Sequence, residues 1–206
     1  MVCEGTASPL LLLDIDGTLC PVGPGPGCAM RHVWTGADAV WFRADLPDVL
    51  TELATDYELA WASAWQHHAN LLLAPALGLP SLPVVSFADP PPGEVGSRYA
   101  GRTWKLGGVQ RFAADRPLAW IDDDLHPDAY TWAAMRRIPT KLTTTDPVRG
   151  ITDAHIRTLL AFARTVATRS RPAQRPRRGR AGKTQPPAAA PEPDHAPLER
   201  NSAPPT

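Results

Sequence analysis

The sequence predicts a doubly wound α/β domain with a parallel sheet, and three observations lead there. Strand-length apolar runs recur: LLLL before Asp14, ELAWA before Ser63 and PLAWI before Asp122. Segments of helical spacing lie between them, and alternation of the two periods implies βα units laid side by side. The runs end in carboxylate or hydroxyl residues, and open α/β sheets bind ligands beyond the carboxyl ends of their strands.

The first strand is expected over Pro9–Ile15, apolar at nearly every position as in a central strand covered on both faces. CPVGPGPGC follows, too rich in Gly and Pro for regular structure. MRHVW and AVWFR, separated by TGAD, read as a hairpin. A helix is expected over LPDVLTELATD with Val49, Leu50 and Leu53 as its buried stripe. YELAWAS gives the second strand, Trp65–Leu73 a helix, and PVVSF the third strand. After the Pro-rich loop ADPPPGEVGSRYAGRT, WKLGGVQRFAAD reads as a short helix despite two glycines. PLAWI is the fourth strand, Asp128–Arg137 helical, TKLTT the fifth strand. Thr152–Thr168 is the last helix, with Ile156, Leu159, Leu160 and Phe162 or Ala163 inward.

At 206 residues and 43% hydrophobic, the chain can build one α/β core with residues to spare. The spare part is at the end. Residues 169–206 hold nine of the 24 prolines and almost no aliphatic bulk, so they cannot offset their ordering entropy. The expected organisation is a domain over 1–168 and a disordered Pro/Arg/Ala-rich tail over 169–206. The zero formal net charge hides an asymmetry: 13 basic and 18 acidic residues precede position 169, against 8 and 3 after it. RSRPAQRPRRGRAGK is thus a cationic arm, read either as a solvated tail without partner or as a weak contact to nucleic acid. Cys3, Cys20 and Cys28 show no metal or redox spacing, and an odd count argues against a disulfide framework, so a reduced, cytoplasmic protein is expected. The first apolar run is too short to span a bilayer, and no membrane contact is expected.

Two carboxylates two residues apart, directly behind a buried strand, are the sharpest local signal. LLLDIDGTL resembles the first motif of the haloacid dehalogenase (HAD) superfamily, DxDGT after a hydrophobic strand. Ser63 in ELAWAS matches the second motif, and WIDDD the acidic last one. The combination with WASAWQHHAN looks like the HAD domains of RNA-repair proteins. The resemblance covers roughly residues 9–165 and implies a HAD-like, Rossmann-like sheet and a Mg²⁺-dependent phosphatase working through an aspartyl-phosphate. On that basis Asp14 is the nucleophile, and Asp16 the general acid and then base. Ser63 is a hydrogen-bond donor to the phosphoryl group. Mg²⁺ is held by Asp14, Asp122, Asp123 and the backbone carbonyl of Asp16. Elementary chemistry agrees: a carboxylate attacking an anionic phosphate needs a cation between them, and adjacent acids repel without one. Gly17 allows a sharp turn, and Thr18 braces it.

Only three lysines exist. The resemblance implies a third motif, a Lys or Arg ahead of the acidic one that anchors the phosphate. Lys183 is in the tail and Lys141 follows the acidic motif, so Lys105 is the lysine placed for that role, with Arg98 and Arg102 as fallbacks. Asp124 either joins the metal or caps the helix near His126–Pro127. His67, His68 and Asn70 read as helix surface. The seven tryptophans read mostly as core, with Trp34 and Trp41 free to cover the site or stack on a base. Residues 19–62 leave room for a minimal hairpin cap and no cap domain, so the expected substrate is a small phosphorylated molecule or a nucleic-acid end. The competing reading is an inactive HAD-fold module that binds nucleic acid or a protein through its tail. Transfer to an acceptor other than water also stays open.

Overall fold

The computed structural model describes residues 8–23, 27–87 and 101–170. Four strands form one parallel sheet: β1 (Leu10–Leu13), β4 (Glu58–Trp61), β5 (Leu118–Asp122) and β6 (Thr140–Thr144), in the order β4-β1-β5-β6. Between β1 and β4 the chain makes the antiparallel hairpin β2 (Met30–Trp34) and β3 (Ala39–Arg43), then α1 (Leu46–Asp56). A π-helical turn, Ala69–Leu73, runs into the short α2 (Ala74–Ala76). The remaining helices are α3 (Leu106–Ala113), α4 (Pro127–Met135) and α5 (Asp153–Ser170).

Strand periodicity explains why helices cover both faces. Successive side chains of β1 point opposite ways. Leu11 and Leu13 join Leu59, Trp61, Ala119 and Ile121 in a cluster that receives Leu46, Leu50 and Leu53 of α1 and Ile156, Leu159 and Ala163 of α5. Leu10 and Leu12 join Ala60, Trp120 and Leu142 in a second cluster, closed by Val109 and Ala113 of α3 and Ala129 of α4. All four leucines of β1 are fully buried. Each contributes about 1.5–3 kcal/mol relative to an exposed side chain, so β1 is the axis of the fold.

Helix α1 and strand β6 have the bounds expected of them, although Leu46 takes the buried place expected of Val49, which is half-buried. In α5 the inward residues are Ile156, Leu159, Ala163 and Val166, with Leu160 and Phe162 half-buried at the margin. Gly108 explains why α3 tolerates glycine. A Cβ there would lie 2.6 Å from the Ser86 carbonyl oxygen and 2.5 Å from the Phe87 ring, so the close approach of α3 excludes a side chain.

Two expected elements differ. PVVSF forms a single parallel bridge, Val84 with Trp61, instead of a strand. The Trp61 N–H donates to the Pro83 carbonyl at 2.9 Å and the Val85 N–H to the Trp61 carbonyl at 2.8 Å. Pro83 has no N–H to extend the ladder. Trp65–Leu73 is not one regular helix, because Gln66 takes a left-handed φ of 49° that breaks it; turns precede the π-helical segment. The tail expected from 169 onward lies outside the described residues from Arg171, as do Cys3, Arg98, Lys183 and most of the Pro-rich loop. Among the described residues, no helix is long and apolar enough to cross a membrane.

Candidate active site

The sheet reverses its winding at β1, which has β4 on one side and β5 on the other. The crevice beyond the strand tips at such a switch point is where doubly wound sheets place ligands. Parallel register aligns Leu10 with Leu118, Leu12 with Trp120 and Leu13 with Ile121. One step further, Asp14 and Asp122 are neighbours, and the Asp14 N–H donates to the Ile121 carbonyl at 3.2 Å. Both share the strand face of Leu12 and Trp120, the side covered by α3.

Lys105 arrives from that side. It is the residue preceding α3, it is buried, and its Nζ lies 2.6 Å from Asp14 Oδ1 and 2.7 Å from Asp122 Oδ2. Burial alone would depress the ammonium, but Asp122 and Asp14 outweigh it and hold the pKa above its ordinary value. Asp122 also accepts hydrogen bonds from Trp120 Nε1 at 3.1 Å and from the Asp124 N–H at 2.9 Å. Asp14 accepts from Thr18 Oγ1 at 3.0 Å, and Thr18 meets Thr145 Oγ1 at 3.2 Å. Thr145, just beyond β6, donates to the Gly17 carbonyl at 3.0 Å, so the turn after β1 is pinned from two strands away.

One ammonium does not neutralise this site. Carboxylate oxygens of Asp14, Asp122 and Asp123 lie within 4.8 Å of one another. Burial, then the charge of Asp122, pushes Asp14 up to about 8 against the pull of Lys105. The same two causes push Asp123 up to about 6. Surplus negative charge on hard oxygen ligands fits a divalent cation such as Mg²⁺. The Asp16 carbonyl accepts no hydrogen bond among the described residues, which suits the ligand role expected of it. Gly17, at φ +72°, is required twice: for that conformation, and because a Cβ there would overlap the Asp123 carboxylate.

Asp16 itself stands at the rim. Its residue is exposed, yet neighbouring atoms desolvate the carboxyl enough to raise its pKa over the opposing indole hydrogen bond and Lys105 charge. That hydrogen bond comes from Trp65 Nε1, 2.8 Å from Asp16 Oδ2. Ser63 is buried two residues past β4, and its Oγ accepts from the Trp65 N–H at 3.3 Å. The Ala62 N–H donates to the Leu13 carbonyl at 2.8 Å, which sets Ser63 beside the β1 tip.

The other candidates fall elsewhere. Asp124 points its carboxylate at His126 Nε2, 3.0 Å away, and makes no cap to α4, so the capping alternative is corrected; it is also outside the acidic group. His67 and His68 are exposed. Asn70 is half-buried and engaged: its Oδ1 accepts from Trp61 Nε1 and the Leu82 N–H, and its Nδ2 donates to the Leu82 carbonyl. The π-helical register turns it inward to clasp the chain beside β4. Lys141 sits near the N-terminal end of β6, the wrong end of the sheet. Arg102 is exposed. Trp34 and Trp41 lie exposed on the hairpin face away from Val33, Phe42 and Val40, with His32 packed on Trp41 at 4.6 Å between ring centroids.

Sequence reading missed Trp65, Trp120, Thr145 and Asp128. Asp128 accepts from the Thr103 N–H and hydroxyl, tying the Lys105 loop to α4. Trp120 had a signal, since residues two apart on a strand share a face. The rest depend on contacts between distant segments. A cavity of about 660 Å³, lined by Cys28, Arg43, Arg149 and His155 among others, lies apart from the acidic group.

No family model matches the chain, and no curated protein matches it either. The functional reading rests on the residues themselves.

Proposed function

We propose that this chain is a Mg²⁺-dependent phosphatase of the HAD superfamily that hydrolyses a phosphomonoester through a phosphorylated Asp14. The observation that carries this reading is the buried Lys105 bridging Asp14 and Asp122 from neighbouring parallel strands, with Asp123 alongside. A bound Mg²⁺, held by Asp14, Asp122, Asp123 and the Asp16 carbonyl, would neutralise the phosphate and let one anion approach another.

The protein groups do the rest. An Asp14 carboxylate oxygen attacks phosphorus as the bond to the leaving oxygen breaks, and Asp16 gives that oxygen its proton. Lys105 balances charge on Asp14 and the phosphoryl oxygens as a compact cation. The Ser63 hydroxyl accepts from Trp65 and keeps its own O–H to donate to the phosphoryl group. Water then attacks phosphorus, Asp16 takes its proton, and Asp14 is released. A small molecule or a nucleic-acid end is the substrate, with the hairpin as a minimal cap, residues 169–206 as a weak nucleic-acid contact and the cytoplasm as the setting.

The test is phosphate release with Mg²⁺ from nucleotides, sugar phosphates and oligonucleotides phosphorylated at either end. Release that Asp14→Asn abolishes is expected. No release from any of these substrates overturns the proposal.

A further inference from the structure

Asp16 has to present its carboxyl to two successive partners, yet it stands in an exposed turn. Among the described residues, the indole of Trp65 is the one side chain hydrogen-bonded to it, at 2.8 Å and across 49 positions of sequence. Three features fix that indole. Its ring packs half-buried against the main core cluster. Its backbone N–H is anchored on Ser63 Oγ, and the Gln66 N–H on the Ser63 carbonyl at 3.1 Å. The following residue, Gln66, is held at φ 49°, an unusual conformation for glutamine that bends the chain where the ring must turn back toward β1. Strained backbone beside a site is retained where the surroundings over-determine it.

We propose that Trp65 is a positioning residue for Asp16 and selects which carboxyl oxygen works. This rests on the phosphatase reading above. An indole N–H can only donate, so Asp16 Oδ2 is committed as acceptor in both protonation states. The mobile proton therefore resides on Oδ1. As the Asp14–phosphorus bond forms and the bond to the leaving oxygen breaks, the Oδ1 proton passes to that oxygen. As water bonds to phosphorus and the Asp14–phosphorus bond breaks, a proton of water returns to Oδ1. Trp65 touches neither substrate nor metal in this scheme; it keeps Asp16 aimed from a ring packed half-buried against the core cluster. The Ser63 turn thus serves both ends of the reaction, offering a hydroxyl to the phosphoryl group and an indole to the proton carrier.

The test separates proton delivery from folding and from nucleophilic attack. Wild-type and Trp65→Phe proteins are compared on a series of phosphomonoesters, from dinitrophenyl phosphate, whose leaving group needs no proton, to alkyl phosphates, which do. Trp65→Phe is expected to lower kcat/KM, which reports the steps up to release of the leaving group and not the shared water step, about tenfold on the alkyl esters, the scale of one hydrogen bond to a charged group, and less than twofold on the dinitrophenyl ester. An equal loss of kcat/KM across the series, or no loss on the alkyl esters, overturns the inference and leaves the phosphatase reading standing. No release from any ester by the wild-type protein removes both. If Trp65→Phe does not fold, the indole ¹⁵N–¹H resonance of Trp65 is followed in Asp16→Asn instead. A selective shift and faster solvent exchange support the contact, and an unmoved resonance overturns it.

Discussion

The molecule contains two clusters of the same make-up, one cation between two aspartates, and they behave in opposite ways. Lys105 bridges Asp14 and Asp122 at the strand tips. Arg43, the last residue of β3, bridges Asp45 at 2.6 Å and Asp153 of α5 at 2.8 Å. Both cations are buried, with 6% and 9% of the side chain exposed. The acids differ: 4% and 0% exposed in the first cluster, 53% and 68% in the second. In the second, water carries the surplus charge, and Asp45 is lowered by its hydrogen bond to Arg43. In the first, the acids are shut away from solvent, and burial, then the charge of Asp122, raises Asp14. Burial of the acids, more than their number, separates a clasp that ties hairpin to helix from a site whose carboxylates suit a further cation.

The largest expected effect is on catalysis. Asp14→Asn removes the nucleophile and should lower kcat at least about 10³-fold, the scale of losing a covalent catalyst. The same change should stabilise the metal-free protein at pH 8, because it deletes one of two buried like charges while Lys105 keeps Asp122. Activity and thermal melts on one preparation check both halves. A destabilised Asp14→Asn would place the site among ordinary clasps.

Lys105→Met comes next. Removing the cation leaves two carboxylates buried side by side, a change worth about 3–5 kcal/mol, or a melting temperature lower by about 10 °C. The loss should be smaller at pH 6 than at pH 8, since Asp14 can then take up a proton. Equal losses at both pH values would contradict a raised Asp14.

What could be read beforehand divides along the same line. Asp14, Asp122 and Lys105 were legible because a carboxylate at the end of an apolar strand, and the one lysine in reach, are local facts. Helix α1 and strand β6 were legible because their periods are local too. The pairing of Asp14 with Asp122 needs the β1–β5 register, and the Trp65–Asp16 bond needs a turn bent at Gln66; neither is written in a window of residues. PVVSF read as a strand by propensity, and Pro83 at the sheet margin reduced it to one bridge. The Arg43–Asp153 clasp spans 110 positions, and no sequence reading anticipated it.

The pH dependence of stability in the metal-free protein sharpens the contrast further. The folded pKa of Asp14 is about 8 and that of Asp123 about 6, both above the ordinary 3.8. Between those limits the folded state binds more protons than the unfolded, so these groups make stability fall as pH rises from about 4 to 8. Lys105 does not reverse this, because its raised pKa acts only above its ordinary 10.5. Asp45 acts in the other direction: its lowered pKa contributes stability above 3.8 that is lost as pH falls through its folded value. Mg²⁺ should therefore raise the melting temperature more at pH 8 than at pH 6, since at pH 6 it must displace protons. Equal shifts at the two pH values would mean that the carboxylates are already ionised without metal.

The smallest effect belongs to the clasp. Arg43→Met removes a cation whose partners are already solvated, so Asp45 and Asp153 are left in water instead of stranded. Exposed pairs of this kind contribute about 1 kcal/mol or less, and the methionine recovers part of the packing of the arginine stem. The expected loss is at most a few degrees in melting temperature, diminished by salt, with phosphate release from a small ester unchanged. A loss as large as that of Lys105→Met would show that the second cluster is buried in solution after all. The distinction between the clusters would then have to rest on the third carboxylate, Asp123, which the hairpin clasp has no counterpart for.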